Sequence, residues 1–299
     1  MFYSLRIRYI SQFMVHEKGE KAFQDTGKAT LFLVPTPIGN LKDITLRAIE
    51  VLREVDLIAC EDTRHTRKLL SAYDIHTPLM SYEKFSERKK ISRIIDLLAE
   101  GGSVALVSDA GTPLISDPGS VLIREVRNRG VKIEALPGPS ALIAAMAASG
   151  FEGPFRFIGF FPRQRSTAVR EVMRMKLSTD HTIFYESPRR IAATLKLLDE
   201  SLGDRSIFFA REISKVHEEH LFGRAGQILE TLSARREIGE VTVVVQGSAQ
   251  EQLLDENSLK KKARRLMGEG YTKKDILGVL VDETGLGRNR IYRLLQDLD

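Results

Sequence analysis

Four short segments gather acids, hydroxyls, glycines and prolines in the manner of a small-molecule site: "PTPIGN" (35–40), "EDTRHT" (61–66), "SDAGTP" (108–113) and "PGPSA" (137–141). Each follows a β-rich apolar run, and ligands of open α/β sheets bind beyond the carboxyl ends of strands, where such segments converge. Gly111 allows close approach of backbone to a ligand. Asp109 and Asp117, in the longer run "VSDAGTPLISDPG", can accept hydrogen bonds from a ribose or an ammonium group. Of the two, Asp109 is expected to touch the ligand, because it is nearer the strand. No lysine or arginine stands in "PTPIGN", "SDAGTP" or "PGPSA". That composition suits a cationic, phosphate-free cosubstrate better than a nucleotide polyphosphate. S-adenosylmethionine, with its sulfonium, ammonium, ribose and adenine, has that chemistry.

Other patterns fail on spacing. No G-x-G-x-x-G follows the first strand, and in "TGKAT" Ala29 stands where a phosphate loop needs Ser or Thr. "GPSAL" lacks the second glycine of a hydrolase nucleophile elbow. His217 and His220 in "HEEH" are one residue too close to share a helix face as metal ligands, so no metal site is expected.

The elements that must hold the four segments alternate from Leu31 onward. "LFLVP", "DLIAC", "SVALV" and "VKIEAL" read as strands; "ITLRAIEVLREV", "SERKKISRIIDLLAEGG", "SVLIREVRNRG" and "PSALIAAMAASG" read as helices. This alternation predicts an α/β domain over 29–149 with a parallel sheet covered on both faces. Gly150, Gly153 and Pro154 mark a boundary. A second, mixed α/β domain is expected over 150–248, with a cofactor cleft between the two. In it, "FRFIGFFPRQR" places Phe155, Phe157 and Phe161 on one alternating face, expected to be buried. Aromatics beside Arg163 and Arg165 also have the makings of base stacking. After a polar linker, 256–299 reads as three short basic helices. Residues 259–274 carry seven Lys or Arg against one acid, Glu269, and Gly285 forms a turn before Arg288 and Arg290. The shape is that of a helix-turn-helix or a small capping bundle, suited to gripping phosphates.

The chain has 299 residues, 42% hydrophobic and 28% charged, with a net charge of +5. These values suit a globular protein of two or three domains and permit a nucleic-acid partner. A single cysteine, Cys60, excludes an internal disulfide framework and suits the cytoplasm. No apolar run approaches the about 20 residues that cross a bilayer. The first 28 residues lack a secretory pattern and are expected to be a poorly ordered extension or an upstream start, with an organellar transit peptide as the alternative.

"LFLVPTPIGNLKDITLRA", "EDTRHTRKLL", "LVSDAGTPLISDPG", "LPGPSA", "FYESPRRI" and "AREISKVHEE" together resemble the small-subunit rRNA methyltransferase I family of the tetrapyrrole methylase superfamily, from about Leu31 to Asp299. The resemblance implies a homodimeric class III methyltransferase with S-adenosylmethionine between its domains. Its implied activity is 2′-O-methylation of a decoding-centre (P-site) cytidine in 16S rRNA, within the small ribosomal subunit. Methylation of a porphyrin or corrin precursor is the alternative within the superfamily. By resemblance the cofactor contacts are Ile38, Asp109, Ala110, Gly111, Thr112, Ser140, Ala141, Tyr185, Arg211 and Thr242. Moving the proton off a ribose hydroxyl needs an acceptor. Glu186 and Glu212 are the expected acceptors, with Glu218 and His217 as further candidates. Arg64, Arg67, Arg189, Arg190, Arg211 and Lys215 are expected to anchor RNA phosphates, with Arg288 and Arg290 from the tail. The sequence departs from the family pattern at Phe85, Ser86 and Arg189, where relatives show histidine or asparagine, which removes a histidine role there.

Overall fold

The computed structural model describes residues 29–82, 87–117, 119–233, 239–248, 256–268, 270–284 and 286–298. The N-terminal extension, Phe85, Ser86 and the Gly285 turn therefore lie outside the described residues.

The first sheet holds β1 (Thr30–Leu33), β2 (Leu57–Cys60), β3 (Leu79–Ser81), β4 (Ser103–Val107) and β5 (Lys132–Ala135) in the order β3-β2-β4-β1-β5. All of its pairings are parallel. Side chains alternate between two cores, as the pleat requires. Leu57, Ala59, Val104 and Leu106 pack beneath α3 (Glu87–Ala99) and α4 (Ser120–Asn128). Ile58, Cys60, Ala105 and Val107 face α1 (Leu46–Glu54) and α2 (Thr63–Ala72). Helix α2 corrects the reading of "EDTRHT" as a loop. Asp62 is its N-cap, accepting from the Arg64 amide at 2.8 Å, and Thr66, Leu69 and Leu70 form its buried stripe.

The second sheet has the order β6-β7-β10-β8-β9, from β6 (Phe155–Phe160), β7 (His181–Glu186), β8 (Ile207–Arg211), β9 (Glu219–Gly223) and β10 (Val241–Val245). Only β6 and β7 are parallel. Central β10 is buried along its whole length. One face packs on α6 (Arg165–Leu177), α7 (Pro188–Leu202) and α8 (Ala225–Ser233) through Phe184, Phe209, Val243 and Val245. Edge strand β9 contains the second half of "HEEH", with His220 and Phe222 exposed.

Helix α5 (Ala141–Ser149), placed in the first domain by sequence, packs instead on the second sheet. Its Leu142 and Ala145 meet Ile183, Phe208, Ala210 and Val244. A helix without a charged residue has no polar face to orient it, so tertiary contacts decide where it goes. The tail forms α9 (Glu256–Gly268), α10 (Lys273–Thr284) and α11 (Arg288–Gln296) around Leu259, Leu266, Ile276, Leu280, Ile291 and Leu294. This module leans on α6 through α10.

Candidate active site between the two sheets

All five strands of the first sheet run the same way, so the loops after β1, β2, β4 and β5 leave one edge together. They are tied there by named bonds. The Thr36 amide donates to the Gly111 carbonyl at 2.9 Å and the Gly111 amide returns to the Thr36 carbonyl at 3.0 Å. Thr36 Oγ1 donates to the Ser108 carbonyl at 3.1 Å, and Thr112 Oγ1 to the Pro139 carbonyl at 3.1 Å. The Asp62 amide donates to Asp109 Oδ1 at 3.0 Å. Gly111 has φ +80°, a region that disfavours side chains, and a Cβ there would meet Ile38 Cγ2 at 3.4 Å.

The second sheet presents a matching edge. Antiparallel pairing sets Tyr185 opposite Thr242 and Glu186 opposite Val241, so the end of β7 and the start of β10 coincide. The two edges are stitched at Gly39. A Cβ on it would lie 2.5 Å from Lys215 Cγ and 2.9 Å from the Ile213 carbonyl oxygen. Ser214 Oγ donates to the Asp43 carboxylate beside this contact. Between the edges lies a cavity of about 390 Å³.

The cavity gathers nine of the ten residues assigned to the cofactor by resemblance. The first-sheet loops contribute Ile38, Asp109, Ala110, Gly111, Thr112, Ser140 and Ala141; the second sheet contributes Tyr185 and Thr242. Arg211 is outside this lining. It stands at the same sheet edge, opposite Val241, but one strand further over, and its guanidinium pairs with Glu219 at 2.7 Å. Both Asp109 and Asp117 reach the lining, joined by Glu61 of the "EDTRHT" segment, by Glu186, and by Glu240, Ile115 and Phe160, which the sequence had not marked. The lining contains carboxylates and no lysine or arginine, a donor set that fits a cationic, phosphate-free ligand.

The structure places both expected proton acceptors in hydrogen-bond networks, Glu186 among the residues that line the cavity. The Glu186 side chain is 0% exposed. Its Oε1 accepts from the Ser187 amide at 2.7 Å, and its Oε2 from Arg190 Nη2 at 3.0 Å and Thr194 Oγ1 at 2.7 Å. Arg190 in turn donates to the carbonyls of Phe161 at 2.8 Å and Pro162 at 3.2 Å. Glu186 is thus the root of a latch that holds the end of β6, with Arg190 as its bridge. Glu212 lies behind the lining with φ +54°. Its Oε1 accepts from Lys215 Nζ and from the Glu240 amide, each at 2.8 Å. Burial pushes its pKa up, but these bonds outweigh burial and hold it below the usual range. Lys215 is likewise spent on Glu212 and Glu240. Glu218 accepts from the Ser214 amide at 2.8 Å and pairs with His220; His217 is exposed.

Asp117 has the acceptor's environment. Burial, then the Glu61 carboxylate, push its pKa up to about 6, against a hydrogen bond from Ser108; Asp109 adds to the rise. Across the cavity, burial is the main cause that pushes the Tyr185 phenol up to about 12; a hydrogen bond at Leu142 opposes it, while Asp117 and Glu240 add to it. Tyr185 therefore stays a donor at neutral pH. Arg64, Arg67 and Arg189 are exposed on the helices that begin at the rim, and Arg288 and Arg290 are exposed on α11.

The aromatic pattern of β6 also changes. Its register against β7 shifts between Phe157 and Phe160, with Gly159 at φ +70°. The bulge breaks the two-residue alternation. Phe157 packs on the α5 side, Phe161 enters the opposite core, and Phe155 is left 41% exposed. Phe160 emerges at the cavity.

The model of the tetrapyrrole (corrin/porphyrin) methylases matches residues 30–229. Ribosomal RNA small subunit methyltransferase I of Thermotoga maritima is 46% identical over 218 residues, 73% of this chain and 98% of that protein. The enzyme of the same name from Bacillus subtilis is 38% identical over 269 residues, 88% and 92% of the two chains. The chain belongs to the ribosomal RNA small subunit methyltransferase I family. As a methyltransferase I of the tetrapyrrole methylase superfamily, it also shares its fold with solved relatives. A cobalt precorrin-4 methyltransferase of cobalamin biosynthesis superposes with a TM-score of 0.55 at 15% identity, covering 74% of this chain and 95% of that one. A diphthine synthase superposes with a TM-score of 0.55 at 18% identity, covering 73% and 90%. In this methyltransferase I chain the helices α9–α11 follow the span matched by the superfamily model.

Proposed function

We propose that this methyltransferase moves the methyl group of S-adenosylmethionine to the ribose 2′-oxygen of a P-site cytidine in 16S rRNA, within the small ribosomal subunit. The observation that carries the cosubstrate is the cavity between the sheets, lined by carboxylates without a lysine or arginine. The RNA substrate rests on the relatives, which are ribosomal RNA methyltransferases, and on the basic helical module, which a small macrocycle does not need.

When bound, S-adenosylmethionine supplies an electrophilic methyl carbon on a good leaving group. The chain's task is to hold the ligands and to take a proton. Asp109 and Glu61 offer acceptors for hydroxyl or ammonium groups, and the amides at Ser140 and Ala141, where α5 begins, offer donors for a carboxylate. Asp117 would take the proton of the 2′-hydroxyl when the methyl group is transferred. A pKa near working pH combines the ionised form with useful basicity. Arg64, Arg67 and Arg189 at the rim, with Arg288 and Arg290 on the tail, contact phosphates.

The cytoplasm is the compartment this reading requires. Among the described residues no helix is long and apolar enough to cross a membrane. A homodimer is the assembly that the resemblance implies. The test is incubation of the protein and labelled S-adenosylmethionine with small subunits lacking the modification, followed by mapping of the labelled nucleotide. Label on a base, or on no RNA, overturns the assignment.

A further inference from the structure

Phe160 is the one large aromatic among the described residues that both lines the cavity and leaves most of its surface exposed, at 60%. Its position is built rather than incidental. The bulge at Gly159 re-aims it, and its ring meets Tyr185 edge-on at 5.8 Å. The next residue is pinned on both sides: the Phe161 amide donates to the Tyr185 carbonyl at 2.9 Å, and the Phe161 carbonyl receives Arg190 of the Glu186 latch. Opposite, a Cβ on Gly159 would lie 3.6 Å from Ser116 Oγ, so the β4–α4 loop comes up against this edge. Ile115, 39% exposed, adds an apolar side chain to the same lining. Arg163 and Arg165, both exposed, follow directly along the chain.

An exposed, immobilised ring at the mouth of a cavity, next to two arginines, is the arrangement that stacks a nucleobase beside its phosphates. The order already built into β6 and its latch lowers the ordering cost of binding. We infer that Phe160 is the platform on which the target base of the RNA stacks, so that its ribose is delivered to Asp117. The inference rests on the RNA reading above. Cosubstrate adenine is the other source of a planar base; the 60% exposure of Phe160 favours RNA, which arrives from solvent.

The chain contains no tryptophan, so Phe160→Trp creates a single fluorescent reporter at the rim. Oligocytidylate should quench its emission, whereas an abasic oligomer of equal length and charge should not. Quenching by S-adenosylmethionine alone would give the platform to the cosubstrate, and equal quenching by the abasic oligomer would reduce it to electrostatic proximity; either overturns the inference. In turnover, Phe160→Ala should raise KM for unmodified subunits about 5- to 100-fold, with S-adenosylmethionine affinity unchanged by calorimetry. Phe160→Tyr should restore KM and Phe160→Leu should not, because a leucine keeps apolar bulk without a π-face. Restoration by leucine overturns stacking. The quenching arm needs no methyl transfer, so it still reports if the RNA 2′-O assignment itself is wrong.

Discussion

Replacing Glu186 by glutamine separates a latch from a proton acceptor. In the wild type this carboxylate, without exposed surface, receives the Ser187 amide, Arg190 and Thr194 at 2.7–3.0 Å. A neutral amide cannot satisfy three donors, and it removes the charge that Arg190 opposes. Hydrogen bonds to a charged group contribute about 1.5–3 kcal/mol each, and breaking a buried pair costs about 3–5 kcal/mol. Glutamine keeps part of the bonding, and Arg190, 30% exposed, can regain water. The expected loss is about 2–4 kcal/mol. At about 2–4 °C per kcal/mol, the melting temperature should fall by roughly 5–15 °C by calorimetry. Turnover at 25 °C with saturating substrates should stay within about threefold of wild type, since all three bonds of this side chain, which has no exposed surface, are made within the latch. KM for subunits should rise, because the latch positions β6. A general base lost outright costs about 100- to 10,000-fold in rate. A kcat loss of that size in Glu186→Gln, measured well below its melting point, would refute the assignment.

Asp117 should behave in the opposite way. Its rate contribution needs the ionised form, so kcat/KM should fall about tenfold per pH unit below about pH 6 and level above it, and Asp117→Asn should erase both the activity and that limb. The raised pKa means that the folded state holds a proton that the unfolded chain releases near 3.8. Stability from the wild-type group is therefore full below that value and is lost as pH rises to about 6. The thermal-stability gap between Asp117→Asn and wild type should open over this window, in favour of the variant, and stay constant above it; a gap independent of pH would contradict the burial argument. Gly39→Ala should weaken S-adenosylmethionine binding and lower the melting temperature, because its Cβ would strike the Ile213 backbone at 2.9 Å; unchanged calorimetric affinity would show that the two edges can part freely. Removing 251–299 should weaken subunit binding and flatten its dependence on salt, while cofactor affinity is preserved; an equal loss of cofactor affinity would place the module in the cavity's support.

Much of the fold is written in local order. Strand-helix alternation announces the parallel sheet, and the four strand-end segments announce a site because parallel strands must deliver their carboxyl ends to one edge. The absence of lysine and arginine from three of those segments, a matter of composition, already points to the charge of the ligand. Two elements escaped: α2 begins inside a segment that reads as a loop, where Asp62 caps it, and β9 is a short edge strand beginning in "HEEH".

The roles of individual charges lay beyond the sequence. Glu186, Arg190, Glu212 and Lys215 look like catalytic and phosphate-binding groups when read in a line, and only folding shows them bonded to one another or to main-chain groups. Asp117 reads as a hydrogen-bond acceptor for the ligand, second to Asp109, until burial and the neighbouring Glu61, distant in the chain, raise its pKa. Phe160 reads as one of six residues in an alternating strand until a one-residue bulge turns it out to the rim. Residue types and spacing determine which loops can meet and what ligand charge they prefer. Ionisation, pairing and the direction of a side chain depend on neighbours far away in sequence, and these the tertiary structure alone supplies.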